Sequence, residues 1–152
     1  MKCALLLVAT LFWFATAAPA QTPAPAQSLK KAVLKSDLPT ADALLKSGVD
    51  PNALIEIVPG SATTYLITAA TNNSLNLVKL LLQAKAQVNQ VDAFKTTALM
   101  TAASKGNAAI VALLLASGAD ARAKDDEGKD ALALAKESGN AAVIALLEAK
   151  LK

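Results

Sequence analysis

The acidic residues near position 125 are the part of the sequence best suited to chemistry. Carboxylates at Asp125, Asp126, Glu127 and Asp130 could form an acid–base pair, given a cleft that separates their pKa values, or could bind calcium through oxygen. Their spacing lacks the alternation and the closing glutamate of a calcium-binding loop, so a solvated turn is the preferred interpretation. A metal-dependent activity at this turn is kept as an alternative.

Other catalytic chemistry is restricted by composition. The sequence contains no histidine and one cysteine, Cys3. It therefore offers no Ser-His-Asp or Cys-His arrangement and no zinc site built from imidazole and thiolate groups. It has no glycine-rich phosphate-binding loop. We expect a protein that is not an enzyme and that needs no cofactor or metal.

The first twenty residues have the pattern of a secretory signal peptide. Met1-Lys2 is a short basic start, residues 3–15 are almost all apolar, and Ala18-Pro19-Ala20 fits the small-residue rule for cleavage after Ala20. The apolar run is shorter than the roughly 20 residues that a membrane-spanning helix needs. We expect export to a bacterial periplasm, or secretion. The alternative is an uncleaved segment that tethers the protein to a membrane.

The residues that follow predict a short linker and a weakly basic domain. Residues 21–27 are rich in proline and alanine and predict an extended linker before a domain over 28–152. Fifteen Lys or Arg residues against twelve Asp or Glu give a net charge of +3, with the basic residues scattered along the chain. A nucleic-acid surface requires clustered basic residues, so we expect no nucleic-acid partner.

One phrase recurs along the chain with a period of 33 residues. The residues 64–70, TYLITAA, return at 97–103 as TALMTAA and more weakly at 130–135. A fixed period in this range indicates one supersecondary unit stacked on copies of itself. Thr97 can cap a first helix, and Gly106 can supply the left-handed residue that ends it. The apolar stripe after Asn107 then predicts a second helix.

From residue 28 onward this repeat resembles the ankyrin repeat. The resemblance rests on the Thr-x-Leu-x-x-Ala-Ala, Gly-Asn, Val-x-Leu-Leu-Leu and Gly-Ala-Asp elements, which the third unit shows best. It implies an all-α solenoid of four helix-turn-helix units with β-turn fingers, over residues 28–53, 54–90, 91–122 and 123–152. It also implies a non-catalytic module that binds other proteins.

The repeats depart from the family pattern at the start of the first helix. The usual proline is Tyr65, Ala98 or Ala131, and the usual histidine is Ile67, Met100 or Ala133. That histidine normally fixes the finger by local hydrogen bonds. The departures therefore predict looser fingers.

The resemblance also implies that partners bind the concave face, which the fingers and the exposed positions of the first helices form. Carried over by position, the candidate partner-binding residues are Ser61, Thr63, Thr71, Asn72, Phe94, Thr96, Ser104, Lys105, Asp126, Glu127 and Glu137, and the same face includes Leu34 and Lys35. Phe94 is the expected anchor, because an aromatic residue at a finger tip has no core to fill.

The long second finger carries further apolar residues with two interpretations. Ile55, Ile57 and Val58 either bind a partner or fold back over the first unit, which has no finger. We prefer folding back for Ile55 and Val58. The partner is expected to be a protein, on which this protein acts as an adaptor, an inhibitor or a stress-protective factor. We expect a monomer, with weak self-association possible through the last helix.

Overall fold

The computed structural model describes residues 24–152, which form eight α-helices and one β-hairpin. The helices are α1 (Pro25–Leu34), α2 (Leu38–Lys46), α3 (Tyr65–Thr71), α4 (Leu75–Gln83), α5 (Ala98–Ser104), α6 (Ala108–Ala116), α7 (Ala131–Ser138) and α8 (Ala141–Leu151). The hairpin strands are β1 (Ile55–Val58) and β2 (Ser61–Thr63), between α2 and α3. The predicted signal peptide and the first linker residues, 21–23, lie outside the described part.

The rest of the linker prediction is wrong, because α1 already begins at Pro25. Residues 25–27 form its first turn. Proline suits this position, since its missing N–H would have no partner within the helix. Proline and alanine after residue 24 therefore mark the start of a helix here, although the same composition is common in extended linkers.

The helices are arranged in two layers of a solenoid. Each first helix packs on the second helix that follows it, and the first helices α1, α3, α5 and α7 contact one another in sequence. The second helices α2, α4, α6 and α8 form the other layer in the same order. This arrangement confirms the predicted ankyrin-type solenoid of four helix pairs, with the hairpin as its only strands among residues 24–152.

The core lies between the two layers and combines small and large buried side chains, with large ones such as Tyr65 and Leu99 on the first helices as well. Small residues on the first helices, such as Ala69, Ala102 and Ala135, are fully buried and let neighbouring helices approach closely. Larger residues on the second helices, such as Leu81 and Leu114, fill the space between units and are also fully buried. Each such leucine contributes about 1.5–3 kcal/mol by leaving water.

The repeated phrases begin and end the first helices as the sequence predicts. The Thr97 hydroxyl accepts a hydrogen bond from the Met100 N–H at 3.2 Å, and Thr64 caps α3 in the same way at 3.0 Å from the Ile67 N–H. Gly106 follows α5 with a positive φ of 70°. In the second unit Asn73 takes this left-handed position, which asparagine tolerates better than most residues.

Asparagine side chains connect successive units, a feature that the sequence analysis missed. The Asn89 amide oxygen accepts a hydrogen bond from the Asp120 N–H at 2.8 Å, and its amide nitrogen donates to the Gly118 carbonyl at 3.2 Å. Asn52 makes the equivalent bond one unit earlier, accepting from the Gln87 N–H at 2.7 Å. These bonds satisfy backbone groups of the loop after the next second helix.

We expect Asn89→Ala to lower the free energy of unfolding by about 1 kcal/mol, because two backbone groups lose their partner. The matched control is Asn76→Ala, at an exposed position on α4, which should stay within about 0.5 kcal/mol of the wild type. Urea denaturation followed by circular dichroism measures both. Equal midpoints for the two variants would contradict the bridging role.

Candidate partner-binding surface

The fingers of the second, third and fourth units are joined by backbone hydrogen bonds. In the hairpin, Glu56 lies opposite Ala62. The Ala62 carbonyl accepts from the Ala93 N–H of the third finger at 2.9 Å, and the Phe94 carbonyl accepts from the Asp126 N–H of the fourth finger at 3.1 Å. The three fingers therefore form one connected edge of the molecule.

Aspartate side chains fix the turn within the third and fourth fingers. Asp92 Oδ1 accepts hydrogen bonds from the N–H groups of Phe94 and Thr96 at 2.8 and 2.9 Å. Asp125 Oδ1 accepts from the N–H groups of Glu127 and Lys129, both at 2.9 Å. These bonds hold each finger turn, so the expected loosening of the fingers has no support in their geometry.

Phe94 lies at the tip of the third finger with an exposed side chain and a fixed backbone. The residue is 59% exposed. Its N–H donates to Asp92, and its carbonyl accepts from Asp126 on the next finger. The ring is thus presented to solvent from a backbone that is held on both sides.

The apolar residues of the second finger divide into one buried and two exposed positions. Ile55 is 6% exposed, as expected if it folds back on the first unit. Val58 is 60% exposed and Ile57 48%, so the folding-back interpretation is wrong for Val58. Side chains alternate along a strand, so Val58, three residues after the buried Ile55, lies on the opposite face. The register shift between Glu56 and Val58 interrupts the alternation that would bury Ile57.

The predicted acidic residues of the fourth finger are paired with lysines. Asp126 lies 3.1 Å from Lys95 of the third finger. Lys129 lies 2.9 Å from Glu137 and 3.1 Å from Glu127. Its hydrogen bonds to Glu137 and then Glu127 raise the pKa of Lys129 to about 12. These exposed pairs add little to stability. Each of the three carboxylates lies within 3.1 Å of a lysine, although Glu127 and Glu137 share Lys129.

The acidic turn forms no convergent site. Asp125 is bonded to its own turn, and Asp130 Oδ1 caps α7 by accepting from the Ala133 N–H at 2.8 Å. Asp126 and Glu127 pair with different lysines. Within residues 24–152 no group of three or more carboxylate or cysteine side chains is placed to hold a metal ion. The alternative of metal-dependent activity gains no support from this geometry.

Three predicted residues meet at a shallow depression between the third and fourth units. Its volume is about 240 Å³, and it is lined by Thr96, Met100, Thr101, Ser104, Lys105, Asp125 and Leu134. This is smaller than the roughly 300–1,000 Å³ of a typical small-molecule site. The depression suits a single side chain of a partner better than a substrate.

The other predicted residues are more closely tied to the fold. Asn72 donates from its side-chain amide to the Val33 carbonyl of the first unit at 3.1 Å. The Thr71 hydroxyl donates to the Ile67 carbonyl at 2.9 Å. Ser61 and Thr63 lie half-buried in β2. Partner binding by these residues stays a prediction, and Asn72 has a structural role besides.

Comparison with known families identifies the class of protein. The family model for ankyrin repeats, in three copies, matches residues 66–152, which is more than half of the chain. The chain belongs to the ankyrin-repeat family. These repeats indicate a protein–protein interaction module, and the family is generally non-catalytic. No curated protein matches the chain. Among residues 24–152, none of the helices has the length and hydropathy to cross a membrane.

The contrast in burial between Phe94 and Ile55 predicts effects of very different size on stability. Phe94→Ala should change the free energy of unfolding by less than about 0.5 kcal/mol, because the ring has few neighbours to lose. Ile55→Ala should lower it by about 2–4 kcal/mol, because it leaves a cavity under the hairpin. Thermal and urea denaturation of both variants test this. A large loss for Phe94→Ala would mean that the ring belongs to the core.

Proposed function

We propose that this protein is a non-catalytic binding module, exported to the bacterial periplasm, that holds a partner protein against its fingers and concave face. Its role is that of an adaptor, an inhibitor or a stress-protective factor. The observation that carries the proposal is Phe94, an exposed ring on a finger whose backbone is hydrogen-bonded on both sides.

The energetics of protein interfaces support Phe94 as the anchor. A buried aromatic side chain removes about 150–250 Å² from water, and such residues dominate the energy of many interfaces. The finger holds Phe94 in place before binding, so association does not have to order its backbone. Ile57 and Val58 on the neighbouring finger are also exposed, and they extend the apolar contact that a partner would bury.

Affinity capture with the form that begins at Gln21 tests the binding module. Proteins captured from a periplasmic extract are identified, and each is then purified for titration calorimetry. We expect Phe94→Ala to weaken binding of the true partner at least tenfold, consistent with a loss of about 1.4 kcal/mol or more at an interface centre. The control Lys150→Glu, on the outer side of α8, should bind as the wild type does.

A protein that binds wild type and Phe94→Ala with equal affinity would contradict the finger as the binding site. A partner that loses affinity only with substitutions on α8 would place the interface on the second-helix layer instead. Before binding is measured, Phe94→Ala and Lys150→Glu must both show the same unfolding midpoint as the wild type.

Export is a separate part of the proposal and rests on the first twenty residues. We expect the cell-associated protein to appear in the periplasmic fraction with Gln21 as its first residue. Ala18→Lys with Ala20→Lys should block cleavage, because the processing site requires small residues there. Fractionation and intact-mass measurement test this. A full-length protein retained in the membrane fraction of the wild type would support the tethered alternative.

A further inference from the structure

The second finger is longer than the third and fourth, as the spacing of the second helices shows. Leu44, Leu81, Leu114 and Leu147 hold the same position in α2, α4, α6 and α8. Leu44 and Leu81 are 37 residues apart, whereas the later leucines follow at intervals of 33. The connection that contains the hairpin therefore has four residues more than the connections after it.

The additional residues lie at the tip of the hairpin, because the base of this finger matches the base of the third. Ile55 lies opposite Thr63 in the hairpin. In the third finger the Asp92 N–H donates to the Thr96 carbonyl at 3.1 Å. Seven residues, 56–62, separate the first base pair, whereas three, 93–95, separate the second. We call residues 57–60 the hairpin tip.

The hairpin holds this tip in place in the absence of a partner. Val58 lies opposite Ser61, and Gly60 supplies a positive φ of 81° in the turn between them. The buried Ile55 anchors the base, and the Ala62 carbonyl is hydrogen-bonded to the third finger. Binding therefore does not have to order the tip, which lowers the entropic cost of association.

The hairpin tip is apolar and carries no charge. Ile57 and Val58 are exposed, and the sequence has no charged residue from 57 to 78. The preceding residue, Glu56, is charged, and the Lys30 ammonium group donates to its carbonyl, so these two neighbouring charges have opposite signs. A charge of the partner that was buried on the tip would find no counter-ion among the tip residues. The surface that covers the tip must therefore be apolar.

A partner that contacts both the hairpin tip and Phe94 needs a recess. The bond from the Ala93 N–H to the Ala62 carbonyl places the second and third fingers side by side. Four additional residues divided between two strands extend the tip by roughly 6–7 Å, at about 3.3 Å per residue. A flat surface would meet the tip first and stand away from the backbone of the third finger. A recess of similar depth lets the adjoining surface reach Phe94.

We propose that the hairpin tip enters an apolar cleft of the partner protein while the rim of that cleft covers Phe94. The cleft is about as wide as one hairpin and has no unpaired charge on its walls. This inference rests on the proposed function, since it names the shape and chemistry of the partner surface that binds the fingers.

A charge placed on the tip tests the apolar character of the cleft. The probe is the protein that the wild type captures from the periplasmic extract, purified for titration calorimetry. We expect Val58→Asp to weaken binding about tenfold or more, because the carboxylate would be buried without a partner. The matched control Ala112→Asp makes the same change at an exposed position of α6 and should bind as the wild type does. Equal affinity of Val58→Asp and wild type would overturn the proposal.

Removal of residues 57–60 tests the length of the finger. The shortened finger keeps three residues between Ile55 and Thr63, as the third finger has, so we expect it to fold. Its affinity should fall about tenfold or more, by the same factor in low salt and in about 0.4 M salt, because an apolar contact is not screened. A loss that shrinks severalfold at high salt would contradict apolar recognition. If the shortened protein does not fold, Val58→Asp decides the question.

Cross-linking tests the shape of the partner surface. A photo-reactive benzoylphenylalanine in place of Val58 is cross-linked to the captured partner, and the crystal structure of the complex locates the attachment. We expect the attached residues to line a recess with apolar walls. Attachment to a flat or convex surface of the partner would show that the cleft is wrong.

Comparison with Phe94→Ala distinguishes failure of this inference from failure of the binding module. If Phe94→Ala weakens binding while Val58→Asp and the shortened finger bind as the wild type does, the cleft is wrong and the finger site stands. If none of the three weakens binding, the fingers are not the binding site. Weaker binding in all three, with attachment in a recess, supports both proposals.

Discussion

Every part of this structure depends on stacking, because no single unit can bury its own apolar surface. A helix pair of this length has a core face on each side and gains its stability from the units next to it. Alanines such as Ala69 and Ala102 let the first helices approach, and leucines such as Leu81 and Leu114 fill the spaces between second helices. The regular stacking also places the fingers side by side, so the candidate partner-binding surface is a consequence of how the core is built.

The edge that the fingers form ends at the first unit, where helix α1 covers it. Within residues 24–152 that unit has no finger, so β1 of the hairpin is the outer strand of the described part, with backbone groups that another chain could pair with. Helix α1 occupies this end instead: the Tyr65 hydroxyl donates to the Ala26 carbonyl at 3.1 Å, and Lys30 donates to the Glu56 carbonyl. The short strand and the bulge before Val58 further protect the edge. Because α1 begins as early as Pro25, its first turn helps to cover this end of the stack.

The sequence predicts the features that each unit carries within itself. The 33-residue period, the Thr97 cap and the left-handed Gly106 are local patterns, and all are found in the structure. Features that depend on contact between units were missed. The role of Asn89 requires the register of one loop on the next, and the exposure of Ile57 depends on the register shift in the hairpin, which no composition rule identifies. For the candidate site, the family resemblance predicted that Phe94 lies at a finger tip. It did not predict that hydrogen bonds to Asp92 and to the neighbouring finger fix the backbone of Phe94.

Residues that the fold does not need are the best guide to what the surface does. Asn72 and Asp125 lie on the predicted face, but their hydrogen bonds account for them as parts of the scaffold. Phe94 and Lys105 have no such explanation, since one leaves a ring in water and the other leaves a charge without an ion pair. Locally unfavourable or unused groups on an otherwise consistent scaffold are where function is expected. An exposed aromatic side chain on a backbone that is fixed by hydrogen bonds is the arrangement from which a specific contact with a partner protein can be built.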